Sequence, residues 1–245
     1  MCNQTKIVRA GVNMTDGSLS LHFDSWLKKG RCSARKTGYK PDLILGDELR
    51  GEADTRYGMN IIARPPADIA AIIDTVRNKL AQRDSAKYWY PSSDLHLTIF
   101  EILHSQSNKE TLLSMLPIVR ARLGELWGSL PMPVFTTCTV YFDPSVVALA
   151  LLPSDERLYS ARMAIHSELL SLGIPSKPRY ISPYGHIVFL RYVGMPADRE
   201  VWTEELERLQ RQRFPVSWSP RDILITTGAT WYGRRERISE HPASL

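Results

Sequence analysis

At 245 residues, 43% hydrophobic and 23% charged, the chain has the balance of an ordinary globular protein with a substantial core, which argues against disordered, collagen-like and membrane classes. The longest uncharged apolar runs, such as Val146 to Leu152, fall far short of the roughly 20 residues needed to cross a bilayer. The net charge of +5 is mild but uneven, with Lys28, Lys29, Arg31, Arg35, Lys36 and Lys40 in one series and Arg234, Arg235 and Arg237 in another; such series are most simply solvated faces.

Met1 to Asp16 contains no apolar segment of the secretory type, so a cytoplasmic protein is expected. Cys2, Cys32 and Cys138 are odd in number and unpatterned, which fits neither a disulfide framework nor a cysteine zinc site. Cys138, between threonines, is expected to pack in a strand.

Residues 1 to 56 lack sustained periodicity and carry scattered glycines, so the reading is an irregular N-terminal extension with one short helix around Phe23 to Lys29. Residues 57 to 245 are expected to form a single domain. Tyr57 to Arg64 reads as a strand ended by Pro65-Pro66. Ile69, Ile72, Ile73, Val76 and Leu80 then mark one face of a helix. A polar loop, Arg83 to Ser93, leads into a strand over Leu95 to Leu103. Ser107 and Glu110 have capping-box spacing ahead of a helical stripe from Leu112 to Leu126, which Pro117 is expected to kink or split. Val134 to Phe142 and Val146 to Leu152 read as antiparallel strands joined by a turn at Asp143-Pro144-Ser145.

Ser154 is placed to cap the next helix, whose apolar face is Leu158, Ala161, Ile165, Leu169 and Leu172, with Gly173 as its left-handed terminus. A loop from Ile174 to Pro183 enters a second apolar strand. A helix marked by Val201, Trp202, Leu206 and Leu209 follows, then strands at Asp222 to Thr227 and Thr230 to Tyr232. Helices begin near 68 and 154 and again near 108 and 197, while His96 and His186 lie ninety residues apart in the intervening strands. These offsets describe a diverged duplication. The expected fold is α+β and bilobal, with two antiparallel-rich sheets, outer helices and a central groove that both histidine strands line.

Side chains alternate along a strand, so His96 and Thr98 share a face, as do Ser182, Tyr184, His186 and Val188. Two imidazoles in one groove suit acid-base catalysis, because one accepts a proton near neutral pH while the other donates. Phosphodiester cleavage by water or a neighbouring ribose hydroxyl is a chemistry such a pair can carry, with Thr98 and nearby amides as donors to the phosphoryl oxygens. A lone histidine in an apolar strand is more often a packed residue; here the two equivalent positions favour a site. His22, His104 and His166 are assigned peripheral, surface or packing roles.

His96-Leu97-Thr98-Ile99 resembles the histidine-x-threonine-hydrophobic motif of the 2H phosphoesterase superfamily, the LigT-like group that includes 2′-5′ RNA ligases and cyclic nucleotide phosphodiesterases. His186-Ile187-Val188-Phe189-Leu190-Arg191 is similar to its second motif, with Val188 where the family usually has threonine or serine. The resemblance spans residues 57 to 232. It implies an acid-base pair of His96 and His186, with Thr98 as a phosphate ligand and Arg191 as the basic residue after the second motif. It further implies no metal or other cofactor and a nucleotide or RNA-end phosphate as partner, and we expect a monomer. Tyr184 is the favoured replacement for the donor lost at Val188, ahead of Ser182, Lys177, Arg179, Tyr180 and Tyr90. The expected activity is hydrolysis or opening of a cyclic phosphate or a 2′-5′ linkage. The alternatives are a non-catalytic nucleotide- or RNA-binding module and, without HExxH or carboxylate spacing to support it, a histidine metal hydrolase.

Overall fold

A computed structural model describes residues 16–49, 57–81, 87–103, 109–174, 181–221, 223–229 and 235–237. Two helices open it, α1 (Asp16–Thr37) and α2 (Leu43–Leu49). The domain proper continues with β1 (Tyr57–Ala63), α3 (Ala67–Ala81), β2 (Lys87–Trp89), β3 (Leu97–Leu103), α4 (Lys109–Trp127), β4 (Phe135–Phe142) and β5 (Val146–Pro153). Its second half holds α5 (Arg157–Ser171), β6 (Gly185–Tyr192), α6 (Arg199–Gln210), β7 (Phe214–Trp218), β8 (Ile223–Ala229) and β9 (Arg235–Arg237).

The strands form one antiparallel path, β7-β4-β5-β6-β3-β1-β8-β9, with β2 also on β6. It consists of two blocks, β7-β4-β5-β6 and β3-β1-β8-β9, and the register between β6 and β3 is the single pair Leu97↔Ile187. The two expected sheets thus meet where the histidine strands touch. The lobes are interleaved in sequence: α4 packs on β1 and α5 on β3, whereas α6 packs on β4 and α3 on β7.

The periodicity that predicts the helices also supplies their buried faces. Ile69, Ile73, Val76 and Leu80 of α3, and Leu158, Ile165 and Leu169 of α5, are 0% exposed. They join the alternate strand residues Leu97, Ile99, Val147, Leu149, Leu151, Ile187 and Phe189 in the main core. At about 25 cal/mol per Å² of apolar area removed from water, this layer supplies the main drive for folding.

Several boundaries differ from expectation, each for a local reason. In place of an irregular extension stands the 22-residue α1, whose apolar face, Leu19, Phe23 and Leu27, covers a second core cluster. Scattered glycines hid it; Gly30 is there because a Cβ would sit 2.5 Å from the Phe142 carbonyl oxygen. The loop expected over Arg83 to Ser93 contains β2, three residues long and so too short to show alternation. Strand β7 was not foreseen; its Pro215 is tolerable because β7 ends the path as an edge strand.

Pro117 does not split α4: it lies on the solvent side with exposed Leu113 and Ile118, where water can satisfy the carbonyl freed by its missing N–H. Ser154 does not cap α5; the Asp155 carboxylate accepts the Arg157 N–H at 3.0 Å instead. Gly173 terminates that helix at φ 71°, as predicted. Ser107, His104, Lys177, Arg179, Tyr180 and the strand expected at Thr230 to Tyr232 lie outside the described residues.

Candidate active site at the junction of the histidine strands

His96 lies one residue ahead of β3 and follows a 3₁₀ turn, Ser92–Asp94. That turn aims the Asp94 carbonyl at the imidazole, 2.6 Å from Nδ1. A carbonyl only accepts, so Nδ1 carries the proton and, in the neutral ring, Nε2 is the acceptor. His186 is the second residue of β6.

The register does the rest. Antiparallel pairing through Leu97↔Ile187 sets Thr98 across from His186 and Val188 across from His96. On the flanks, Ala150 pairs with His186, Ala148 with Val188, and Ile62 with Thr98. One row therefore crosses the sheet as Ala150, His186, Thr98, Ile62 and Leu224. Leu97 and Ile187 point into the helix-covered core, so the histidines, Thr98 and Val188 share the other face, each half-buried. His96 and His186 are diagonal neighbours in this quartet, a relation of roughly 7–8 Å.

Both histidine strands carry an irregularity three residues after the histidine. Ile61 and Ile62 pair with Phe100 and Thr98, leaving Ile99 as an extra residue; Val147 and Ala148 pair with Leu190 and Val188, leaving Phe189. Bulges bend a strand and re-aim its side chains, and they recur beside active sites. The carbonyls they free are satisfied: Phe189 O accepts from the Tyr90 N–H at 3.1 Å, and Ile99 O from Arg162 Nε at 2.7 Å.

Arg162 of α5 is a positioning residue that sequence reading missed. Buried at 6% exposure, it also donates to the carbonyls of Thr98 at 3.0 Å, Tyr184 at 2.8 Å and Ser182. One guanidinium thereby ties β3 to the segment that delivers His186. Its signal in sequence was an arginine between Ala161 and Ile165 on the apolar stripe of α5. Gly185 was likewise overlooked: a Cβ there would come within 2.9 Å of Leu97 Cδ1 and 3.1 Å of the Phe135 ring, so glycine leaves those two side chains their room at the junction.

Two expected site residues are placed elsewhere. Tyr184 is 4% exposed, beneath Phe23 and Trp26, and its hydroxyl donates to the Leu19 carbonyl at 3.3 Å, so it anchors α1 instead of replacing the Val188 donor. Burial raises the pKa of its hydroxyl. Arg191 is 9% exposed; its Nε donates to Tyr90 Oη at 3.0 Å and its guanidinium faces Asp42 at 3.6 Å. It sits five residues beyond His186, about 16 Å at the usual rise, and locks the N-terminal segment to β6. Cys138 is packing, as expected, its thiol pushed up to about 12 by burial.

No family model and no curated protein sequence matches this chain. Solved structures do. A conserved protein of unknown function from Agrobacterium tumefaciens aligns with TM-score 0.51 at 14% identity, over 84% of this chain and 95% of that one. LigT of E. coli complexed with ATP aligns with TM-score 0.46 at 17% identity, over 75% and 96%. A Thermus thermophilus protein aligns with TM-score 0.47 at 16% identity, over 75% and 96%. At 14% identity the likeness to the Agrobacterium tumefaciens protein is one of fold alone.

Proposed function

We propose that this protein is a metal-independent phosphodiesterase that acts on a cyclic phosphate or a 2′-5′ linkage of a nucleotide or RNA end. The observation that carries the reading is the Leu97↔Ile187 register, which puts His96, His186 and Thr98 on one half-buried face. His96, with its proton held on Nδ1 by the Asp94 carbonyl, presents Nε2 to the attacking water. As the water oxygen bonds to phosphorus, its proton passes to His96, while His186 protonates the departing ribose oxygen. The products are a phosphomonoester and a free hydroxyl, and the two histidines exchange protons with solvent to reset. Thr98 donates to a phosphoryl oxygen as charge develops there.

The test is turnover of 2′,3′-cyclic nucleotides and 2′-5′ oligonucleotides in the presence of chelator. His96→Ala and His186→Ala are each expected to lower kcat/KM about 10²- to 10⁴-fold. Turnover abolished by chelator, or retained by both variants, would overturn the reading.

Val188 favours a second reading, a nucleotide- or RNA-binding module without turnover, because its isopropyl group faces His96 where Thr98 faces His186. Binding of the same probes without turnover, with activity appearing in Val188→Thr, is the result that would select it.

A further inference from the structure

Helix α1 packs on the histidine face of β4, β5 and β6. Leu19, Phe23 and Leu27 bury against Tyr141, Val146, Ala148, Ala150 and Tyr184, the face opposite the one covered by α6. Trp26 completes the packing. Its indole stacks on Tyr141 at 4.3 Å and 10° and on Tyr184 at 5.5 Å and 21°, over strand positions that hold alanine. Its ring centroid lies 6.2 Å from that of His186. The adjoining Ala148 and Ala150 are 0% exposed, and on the other flank Ile62 is 2% exposed, whereas the histidine quartet between them is half-buried. The accessible part of the groove face at the histidines is therefore about two strands wide, roughly 5 Å between strand axes.

A phosphate within a continuous polynucleotide needs room for a nucleoside on both sides. Here one side is filled by a bicyclic indole stacked on two tyrosines, a place a purine would otherwise match in size and stacking. We infer that α1, through Trp26, restricts the site to a phosphate carried on a single nucleotide or at a chain end and excludes internal linkages. The inference rests on the nucleotide-phosphate site proposed above and assigns Trp26 a specificity role that the paired motifs do not contain.

The experiment compares the full chain with Trp26→Ala and Trp26→Phe on three probes: adenosine 2′,3′-cyclic phosphate, the 2′-5′ adenylate dimer, and a long oligonucleotide with one 2′-5′ linkage at its centre. Turnover and equilibrium binding are both measured. The wild-type protein is expected to favour the cyclic mononucleotide over both linkages that join two nucleosides by about 100-fold or more, and Trp26→Ala to narrow that ratio at least about tenfold as an adenine enters the vacated slot. Wild-type protein that handles the internal linkage as readily as the cyclic mononucleotide overturns the inference, as does an unchanged ratio in a folded Trp26 variant. Absence of turnover on every probe overturns the catalytic reading alone; the binding constants then decide, with equal affinity for all three overturning the inference and a preference for the single nucleotide upholding it. Should Trp26→Ala not fold, Trp26→Phe, which vacates one ring, gives the same comparison.

Discussion

His96 and His186 look equivalent in sequence, yet their neighbours differ: Thr98 stands across from His186 and Val188 across from His96. The quartet thus presents a hydroxyl beside one histidine and an isopropyl group beside the other. Tyr184 sharpens the same point, since its parity with His186 suggested a clamp donor and its hydroxyl is committed to the Leu19 carbonyl. Tyr184→Phe is expected to cost about 1 kcal/mol in unfolding free energy, the worth of one neutral hydrogen bond, while changing kcat/KM less than about threefold. A loss of a hundredfold in turnover at unchanged stability would return Tyr184 to the phosphate. The histidine positions and their shared face were legible because strand alternation is a local rule; the fate of the Tyr184 hydroxyl was not, because its acceptor lies 165 residues away.

At the scale of elements, the bulges at Ile99 and Phe189 repeat the ninety-residue offset of the histidines, and each strand depends on a different residue to satisfy its freed carbonyl. For β3 that residue is Arg162. Arg162→Met keeps the volume on α5 but leaves the carbonyls of Thr98, Ile99, Ser182 and Tyr184 without their donor. The expected cost is about 3 kcal/mol or more, read as a lower denaturation midpoint. A fall in kcat larger than any rise in KM is expected with it, because the two histidines lose their common brace. Arg162→Lys should recover little, since an ammonium cannot reproduce the planar fork. Stability unchanged in Arg162→Met would refute the brace. Helix and strand periods showed where most elements lie; β2, too short to alternate, and β7, an edge strand with proline, gave no such signal.

Across the whole molecule, α1 is fastened at both ends. Its apolar face lies on the groove side of the second block, and its C-terminal half reaches α6, where Arg35 donates to the two Glu207 carboxylate oxygens at 2.6 and 2.9 Å. The chain then crosses to α6 and β6 through Tyr39, hydrogen-bonded with Thr203, and Asp42, facing Arg191. The Arg35 hydrogen bond holds the Glu207 pKa below the usual carboxylate range. A carboxylate with a depressed folded pKa stabilises the fold above its unfolded value, about 4.3, and that contribution disappears as pH falls through the folded pKa. Glu207→Gln is therefore expected to lower stability near neutral pH by less than about 1 kcal/mol, the pair being partly solvated, with the difference from wild type shrinking below about pH 4. A difference that stays constant between pH 7 and 3 would remove the pair from the fastening of α1. Among the described residues no helix is long and apolar enough to cross a membrane.

Most of the strands and helices, their ninety-residue offset and the shared strand parity of the site residues follow from the chain alone, because alternation, helical periodicity and turn chemistry act over a few residues. The diagonal placement of the histidines did not, since it depends on the Leu97↔Ile187 register, on the glycine that lets Leu97 settle beside β6, and on a guanidinium buried from another helix. Nor did the role of the first helix. An amphipathic stripe states that a face will be buried, not against what, and here it was packing between distant segments that set Trp26 beside His186.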